Sequence, residues 1–470
     1  AAAARYQPSW ESLQTHPDPP WFEDAKFGIY CHWGVYSVPA FGTEWYSRNM
    51  YRPDRIEHKH HLEKYGTLDK FGYKDFIPMF RAEHFDPEEW AELFAQAGAK
   101  FAGPVTEHAD GFSMWDSRVN KWNAARMGPK RDVVGELARA IRKRNMKFLA
   151  TFHHQWLWAW YPTFDANVDA SNSEYSGLYG PRVSEAAWNY RKDQLTPDVT
   201  FCNVWRDKVK EVVDRYQPDL IYFDSRLGNI AEPYRKDLLA YYYNRALDWK
   251  REVGLTYKGR DLERGAGILD VERGRMASLM PFKWMVDDSI DWKSWCYVED
   301  ASLKSAGRIV GELVDVVSKN GNLLLNITPR ADGTIPGPVQ ERLRDIGGWL
   351  KLNGEAIYGT RPWKNFGEGP TEVKEGMFGE KNIKDLTADD IRFTTRGSVL
   401  HAVVLGWPER DVRIQSLGTA AGMLSAKITN VRLIGSDEKL QWERGGEAFV
   451  IRRPRHQPCE HAIVFRIETT

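Results

Sequence analysis

The sequence predicts two domains, a (β/α)8-like barrel over residues 1–358 followed by an all-β, antiparallel sandwich over residues 359–470. Short β-rich runs alternate with helical patterns from about residue 27 to residue 358. Parallel strands need long crossover connections, so this alternation indicates a parallel sheet with helical crossovers. A change to short alternating runs after residue 358 predicts the sandwich.

The alternation alone fits a doubly wound open sheet nearly as well as a closed barrel, and two further observations favour the barrel. The alternating region is longer than the roughly 250 residues of a typical barrel, which insertions explain. Polar side chains follow four strands: His32, His108, the pair His153 and His154, and Asp224. In a barrel these strand ends converge on one mouth, where the active site lies.

Four β/α units can be delimited within the barrel region. Their helices are predicted at 86–97, 132–144, 205–216 and 303–317, and the β-rich runs that follow them lie at 99–108, 148–154, 220–224 and 323–329. The first helix begins with Asp86 followed by Pro87 and stops at Gly98. These residue types commonly start and end helices.

The residue pattern changes in the C-terminal region, where turn signals such as RGS, GSD and RGG separate short runs of alternating apolar and polar residues. The runs lie at 391–395, 399–404, 412–415, 428–434, 440–443, 448–452 and 461–467. This pattern is typical of an antiparallel sandwich. We expect the domain boundary near 359–370, a segment rich in Gly, Pro and aromatic residues.

Composition and charge exclude several classes of protein. The 470 residues include 65 Lys and Arg against 65 Asp and Glu, and nucleic-acid binding needs a clustered basic excess, so no nucleic-acid partner is expected. No apolar run approaches the roughly 18 to 20 residues that span a bilayer. The four cysteines lack the spacing of a disulfide framework or a zinc site. The start, AAAARYQPSW, fits the remainder of a processed export signal or an added tail, and we expect a secreted or periplasmic protein.

The chain is rich in aromatic residues, with 20 Trp, 20 Tyr and 21 Phe. Flat rings with a polar edge stack well on the apolar faces of sugars, so this excess indicates carbohydrate binding. The competing interpretation is that a large core uses many aromatic residues. Eight tryptophans fall in segments predicted beside the barrel mouth: Trp33, Trp45, Trp115, Trp156, Trp158, Trp160, Trp292 and Trp295.

The most unusual stretch is KFGIYCHWGVYSVPAFGTEWYSRNMY at residues 26–51. His32 beside a tryptophan is by itself more often a satisfied core residue than a ligand. Glu44 beside Trp45 favours a binding role for this stretch. The acid can accept hydrogen bonds from sugar hydroxyls, and the neighbouring ring can stack on the apolar face of the sugar.

This stretch closely resembles the signature of glycoside hydrolase family 29, the α-L-fucosidases. The resemblance continues through TEHADGFSMWDS at 106–117, LIYFD at 220–224, SWCY at 294–297, VDVVSKNGNLLLNITPRADGTIP at 314–336 and IGGWLKLNGEAIYGT at 346–360. It covers residues 20 to 360. The resemblance implies a barrel catalytic domain followed by a β-sandwich, and a retaining mechanism without a metal or other cofactor.

Two carboxyl groups are needed for glycoside hydrolysis, one to attack the anomeric carbon and one to protonate the leaving oxygen. Asp224 matches the nucleophile of the family in the LIYFD motif. Its alternative role is that of a helix N-cap, which Asp commonly fills at a strand-to-helix turn.

The sequence offers several candidates for the acid/base, because this family places it in a variable region. We predict Glu272 in the VERG stretch, which precedes PFKW and SWCY in the order of the family's acid-bearing segment. The competing candidates are Asp270, Glu263, Asp287 and Asp288. A proton donor needs a raised pKa, and the neighbouring Arg273 opposes this unless its side chain points elsewhere.

The resemblance implies that His32, Glu44, Trp45 and His108 bind the sugar, and Trp295 of the SWCY motif is a further candidate. The usual Lys-His-His-Asp/Glu-Gly-Phe motif reads EHADGF at 107–112 here, so an acid replaces the lysine and Ala109 replaces the second histidine. Either a neighbouring strand end supplies the missing imidazole, or the pocket accepts a different sugar.

The candidates for that imidazole are His153 and His154. The pair also raises the question of a metal site with His108 or His32. Adjacent strand residues point to opposite faces, so the pair would rarely ligate one ion, and we predict no metal.

The sequence therefore predicts a retaining, exo-acting α-L-fucosidase that removes terminal α-L-fucosyl residues from fucosylated oligosaccharides or polysaccharides by double displacement. The alternatives are a family member acting on an α-L-galactoside or on sulfated fucose, and an inactive glycan-binding protein. Homo-oligomer formation is left open.

Overall fold

The computed structural model describes residues 5–470 and contains a closed barrel followed by two antiparallel sheets. Eight parallel strands pair in chain order, and the last strand pairs with the first. They are β1 (Phe27–Cys31), β2 (Phe101–Glu107), β3 (Lys147–Phe152), β4 (Leu220–Phe223), β5 (Gly254–Lys258), β6 (Ile268–Glu272), β7 (Trp284–Ser289) and β8 (Gly321–Ile327). The predicted barrel is confirmed, and the doubly wound alternative is wrong.

Helices cover the outside of the barrel. Those of ten residues or more are α1 (Pro87–Gln96), α2 (Val133–Lys143), α3 (Val199–Tyr216), α4 (Glu232–Trp249), α5 (Ala306–Ser318) and α6 (Gly337–Asn353). Helix α1 begins as predicted, with the Asp86 side chain accepting hydrogen bonds from the N–H groups of Glu88 and Glu89. Every residue of β1, β2, β4, β5, β7 and β8 is buried. Strands that are buried on both faces have nearly continuous apolar sequences, and their polar residues lie at the strand ends.

The C-terminal region forms a five-stranded and a three-stranded antiparallel sheet. Its strands are β9 (Arg361–Glu368), β10 (Ile391–Arg396), β11 (Val399–Val404), β12 (Val412–Ile414), β13 (Ile428–Leu433), β14 (Trp442–Arg444), β15 (Phe449–Ile451) and β16 (Ile463–Thr469). The larger sheet has the order β13-β16-β11-β10-β9, and the smaller one β12-β15-β14. Apolar residues of both sheets share one core, as expected for a sandwich.

Strand β9 lies within residues 359–370, where the sequence predicts a boundary segment rather than a strand. Pro362 and Gly367 interrupt the strand pattern in the sequence. The structure tolerates them because β9 is an edge strand whose register shifts beside β10.

The C-terminal sheets pack against the barrel through α5 and α6. The indole N–H of Trp349 donates to the carbonyl of Ala462 at 2.8 Å. Arg392 of β10 forms a buried ion pair with Asp315 of α5 at 2.8 Å. Within residues 5–470, no helix is long and apolar enough to cross a membrane.

Candidate active site

A pocket of about 370 Å³ opens at the carboxyl ends of the barrel strands. It is lined by Tyr30, His32, Glu44, Trp45, His108, Ala109, His153, Trp156, Trp160, Tyr222, Asp224, Ser225, Glu272, Asp287, Trp295 and Phe378. Convergent polar groups among aromatic walls at the barrel mouth are the usual make-up of a ligand site in this fold.

The pocket has two halves that differ in exposure. The floor is formed by buried polar residues, namely His32, Glu44, His108, His153 and Asp287. The rim is formed by residues that reach solvent, namely Trp45, Trp156, Ser225 and Phe378.

Three imidazoles from the ends of β1, β2 and β3 meet in the floor. The ring centroids of His32, His108 and His153 lie 4.8 to 5.3 Å apart. Asn326 of β8 orients His32, since its side-chain oxygen lies 2.8 Å from Nδ1. Burial lowers the pKa of His32 to about 4 and the pKa values of His108 and His153 well below their usual range. At neutral pH each ring therefore offers one hydrogen-bond donor and one acceptor, which suits sugar hydroxyls.

His154 lies outside the pocket. Its Nε2 atom is 3.1 Å from the carbonyl of Trp205 in α3, and its ring stacks on that indole. Of the two histidines predicted to bind substrate, the pocket thus contains His153 and not His154, because consecutive residues at a strand end point to opposite sides and His153 takes the inner one.

Glu44 reaches the floor from the loop after β1. Its Oε2 atom accepts a hydrogen bond from the backbone N–H of Trp295 at 2.9 Å. Burial raises the pKa of Glu44 to about 7. The contact joins two predicted binding residues that are 251 positions apart in the chain.

A buried lysine holds the catalytic candidates together. Nζ of Lys258, at the end of β5, lies 3.9 Å from Asp224, 3.1 Å from Glu272, 3.2 Å from Asp270 and 2.8 Å from Asp287. Because Asp224 and Glu272 share this atom, their nearest oxygens are at most about 7 Å apart, a range that includes the roughly 5 to 5.5 Å of retaining glycosidases. The carboxyls around Lys258 outweigh its burial and raise its pKa, so it stays protonated.

Asp224 and Glu272 are the acids that combine pocket exposure with raised pKa values. Their side chains are 17% and 15% exposed. Burial raises the pKa of Asp224 to about 6, with the Lys258 ammonium opposing the rise. Burial also raises the pKa of Glu272 to about 7, and Asp224 adds to the rise. One carboxyl can thus be ionised while the other holds a proton.

The remaining acid/base candidates are placed less favourably than Glu272. Glu263 is exposed on a loop outside the pocket. Asp288 faces Lys304, with an ion pair of 2.6 Å. Asp270 is fully buried. Asp287 accepts hydrogen bonds from two tyrosines and Lys258, and its pKa is lowered because these contacts outweigh burial.

Arg273 does not interfere with Glu272, because its guanidinium points to another group. It forms an ion pair with Glu380 at 2.6 Å.

Comparison with known proteins identifies the family of the chain. The α-L-fucosidase family model matches residues 1–355, and the model of the α-L-fucosidase C-terminal domain matches residues 384–468. Tissue α-L-fucosidase from Homo sapiens is 34% identical over 447 residues, covering 93% of this chain and 85% of that protein. The rat enzyme is 34% identical, covering 97% and 90%. The crystal structure of Thermotoga maritima α-fucosidase in complex with fucose has a TM-score of 0.77 and 31% identity, covering 98% and 100%.

The chain belongs to the α-L-fucosidase family, glycoside hydrolase family 29. The predicted enzyme class, a glycoside hydrolase of the α-L-fucosidase type, is confirmed, and so is the predicted two-domain fold class.

The departure from the usual family motif at 107–112 has a local explanation. Glu107 faces α3, where Lys208 Nζ pairs with it at 2.8 Å, and Ser113 donates to its other oxygen. The acid is therefore bound on the side of β2 away from the pocket. Ala109 lines the pocket, and His153 from the next strand end stands beside His108.

Half of the tryptophans predicted at the mouth line the pocket of this α-L-fucosidase family member: Trp45, Trp156, Trp160 and Trp295. The other four, Trp33, Trp115, Trp158 and Trp292, lie outside it. Trp33 is instead packed against Phe80, Phe85 and Trp90 in the core. The four tryptophans at the pocket fit the carbohydrate-binding interpretation, and Trp33 fits the interpretation that a large core uses many aromatic residues.

Several residues of the site were not identified from the sequence. The lining residues Tyr30 and Tyr222, and Lys258 between the carboxyls, sit within or at the end of strands, where alternation could have marked them as facing the barrel interior. Phe378 lies beyond the predicted barrel and carries no local signal.

Proposed function

We propose that this family member hydrolyses terminal α-L-fucosides with retention, with Asp224 as nucleophile and Glu272 as acid/base. The observation that carries the assignment is the pair of partly exposed carboxyls grouped around Lys258, with pKa values of about 6 and about 7. We infer that the sugar is L-fucose from the description of the matched family, α-L-fucosidase.

In the first step, an oxygen of ionised Asp224 attacks the anomeric carbon of the fucosyl residue. The bond from that carbon to the leaving oxygen breaks, and protonated Glu272 donates its proton to this oxygen. The product is a fucosyl ester of Asp224 and a free leaving group.

In the second step, Glu272 is ionised and removes a proton from water. The water oxygen attacks the anomeric carbon, and the ester bond breaks to return Asp224 as a carboxylate. Lys258 remains protonated throughout and offsets the negative charge that moves between the two acids.

The floor supports an exo-acting enzyme, because its buried side chains close the inner end of the pocket. His32, Glu44, His108 and His153 would hold the fucosyl hydroxyls, and Trp295 would contact the ring. Only a terminal residue then fits with its anomeric carbon at Asp224, so the leaving group lies toward the rim.

A second candidate substrate is a related L-sugar, an α-L-galactoside or a sulfated fucose. Ala109 favours it, because a small side chain lines the pocket where the family motif usually has histidine. Comparing kcat/KM for aryl α-L-fucoside, aryl α-L-galactoside and sulfated fucosyl oligosaccharides distinguishes these substrates.

We further propose action outside the cytoplasm, by a secreted or periplasmic protein, and a domain boundary at residues 358/359. A relative named plasma α-L-fucosidase, 32% identical, supports the first, and the start of β9 at Arg361 supports the second. Activity in the medium or periplasmic fraction of the source cells would test the location.

The assignment of the nucleophile is tested with Asp224→Gly. The variant should lose turnover of an aryl α-L-fucoside below detection, because no carboxylate remains to attack, and azide should partly restore it by occupying the vacated space. Glu263→Ala, an exposed acid outside the pocket, is the control and should retain activity. Retained activity in Asp224→Gly would contradict the assignment, and a wild-type protein without activity would indicate a glycan-binding role.

A further inference from the structure

A side chain from the C-terminal part of the chain reaches the catalytic pocket. Phe378 lies in the connection between β9 and β10, yet it lines the pocket rim. The residue is 63% exposed, the third highest value among the large apolar residues that remain exposed. A large exposed ring at the edge of a binding pocket indicates a contact surface for a ligand.

The segment that carries the ring is fixed to the barrel by backbone pairing. The N–H of Phe378 donates to the carbonyl of Glu272 at 2.9 Å. Gly376 exchanges hydrogen bonds of 3.1 and 3.3 Å with Arg275, and the N–H of Glu380 donates to Arg273 at 3.1 Å. Residues 376–380 thus run antiparallel to the chain that follows β6, and this pairing sets the ring beside the proposed acid/base.

Buried charges anchor the same segment. The Glu380 carboxylate is 2% exposed and pairs with Arg273 and with Lys304, both at 2.6 Å. Arg308 of α5 donates to the carbonyl of Glu380 at 2.8 Å. Glu380 thus has two buried cationic partners, so the segment is held firmly while its aromatic ring stays in solvent.

The backbone at Phe378 is strained. Its φ of +59° lies in the left-handed region, which a bulky residue seldom adopts. Gly376 and Gly379 lie close by in the chain, and glycine adopts a positive φ more easily than phenylalanine does. Strain retained at a pocket edge is typical of a functional position.

We propose that Phe378 forms a leaving-group subsite, a platform on which the first sugar ring of the aglycone stacks by its apolar face. The inference rests on the proposed function, in which Glu272 protonates the leaving oxygen. The leaving group must lie beside Glu272 and toward solvent, and Phe378 occupies that position. Sugar rings present an apolar face of C–H groups that packs on aromatic rings.

The test compares two substrates that differ only in the leaving group. A fucosyl-galactose disaccharide carries a sugar ring, whereas α-L-fucosyl fluoride carries a single atom. Phe378→Ala should lower kcat/KM for the disaccharide by about tenfold, the size of one aromatic stacking contact, and change the value for the fluoride by less than about twofold. Phe378→Trp should retain activity on the disaccharide. Ile56→Ala, an exposed apolar residue outside the pocket, is the matched control.

Thermal unfolding separates a binding role from a structural one. Phe378→Gly should keep or raise Tm, because glycine relieves the positive φ, and should still lose the disaccharide activity. Equal losses on both substrates, or full disaccharide activity in Phe378→Ala, would overturn the subsite. A wild-type enzyme inactive on both fucosides would contradict the proposed function itself.

Discussion

The floor and the rim of the pocket are built in opposite ways. The floor consists of polar groups supplied largely by strand ends and the loop after β1, buried and fixed by hydrogen bonds such as that from the Trp295 N–H to Glu44. The rim consists of residues on connections that reach solvent, three of them aromatic, and one of these, Phe378, comes from the segment between β9 and β10.

The difference separates two tasks of the enzyme. Buried groups have shifted pKa values and a fixed geometry, which recognition of one sugar and acid/base chemistry require. Exposed rings on connections can vary without disturbing the barrel, which suits the choice of leaving group. We therefore expect changes in the floor to affect every substrate and changes in the rim to affect only some of them.

Among the changes that test the difference between floor and rim, the largest effect is expected at Glu272, where the floor and the rim of the pocket meet. Glu272→Ala should lower kcat/KM, which reports the first step, by about 10² to 10⁴-fold for substrates with poor leaving groups, because general acid catalysis is lost. The loss should be small for activated leaving groups such as fluoride, which need no proton. Steady-state kinetics over a series of aryl fucosides measures the dependence on leaving-group pKa.

Glu263→Ala is the matched control, since Glu263 is an exposed acid on the loop before β6. It should behave like wild type across the series. A loss in Glu272→Ala that is equal for all leaving groups would assign the proton transfer to another group.

The second effect concerns the support behind the floor. Lys208→Met should lower the free energy of unfolding by about 3 to 5 kcal/mol, because it leaves the buried carboxylate of Glu107 unpaired. Urea denaturation measures the change. Lys210→Met on the same helix breaks a partly exposed pair with Asp237 and should cost no more than about 1 kcal/mol. Similar losses in both variants would contradict a special role of the buried pair.

The smallest effect is the pH dependence set by the two carboxyls. Asp224 must be ionised and Glu272 protonated, so kcat/KM should fall below a pH of about 6, as Asp224 gains a proton, and above a pH of about 7, as Glu272 loses one. In Glu272→Ala, assayed with fucosyl fluoride, the alkaline limb should disappear. If it persists, the group responsible is another acid such as Glu44, whose pKa burial also raises to about 7.

Much of the fold and part of the site could be read from residue patterns. The helix that begins after Asp86 and the strand that ends before Asp224 depend on local rules, namely capping and the burial of parallel strands. Those rules act over a few residues. Strand β9 was missed because its proline and glycine are tolerated only at a sheet edge, and edge position is a property of the assembled sheet.

Local patterns thus located the strand ends, and with them Asp224 and the histidines as neighbours at one mouth. The choice of His153 over His154 and of Glu272 over the other acids needed the closed barrel, which fixes the side each residue faces and brings Lys258 between carboxyls from three other strands or strand ends. Phe378 required both domains to be in place. Contacts between residues of different strands and domains form only when the core packs, so local patterns in the sequence cannot predict them.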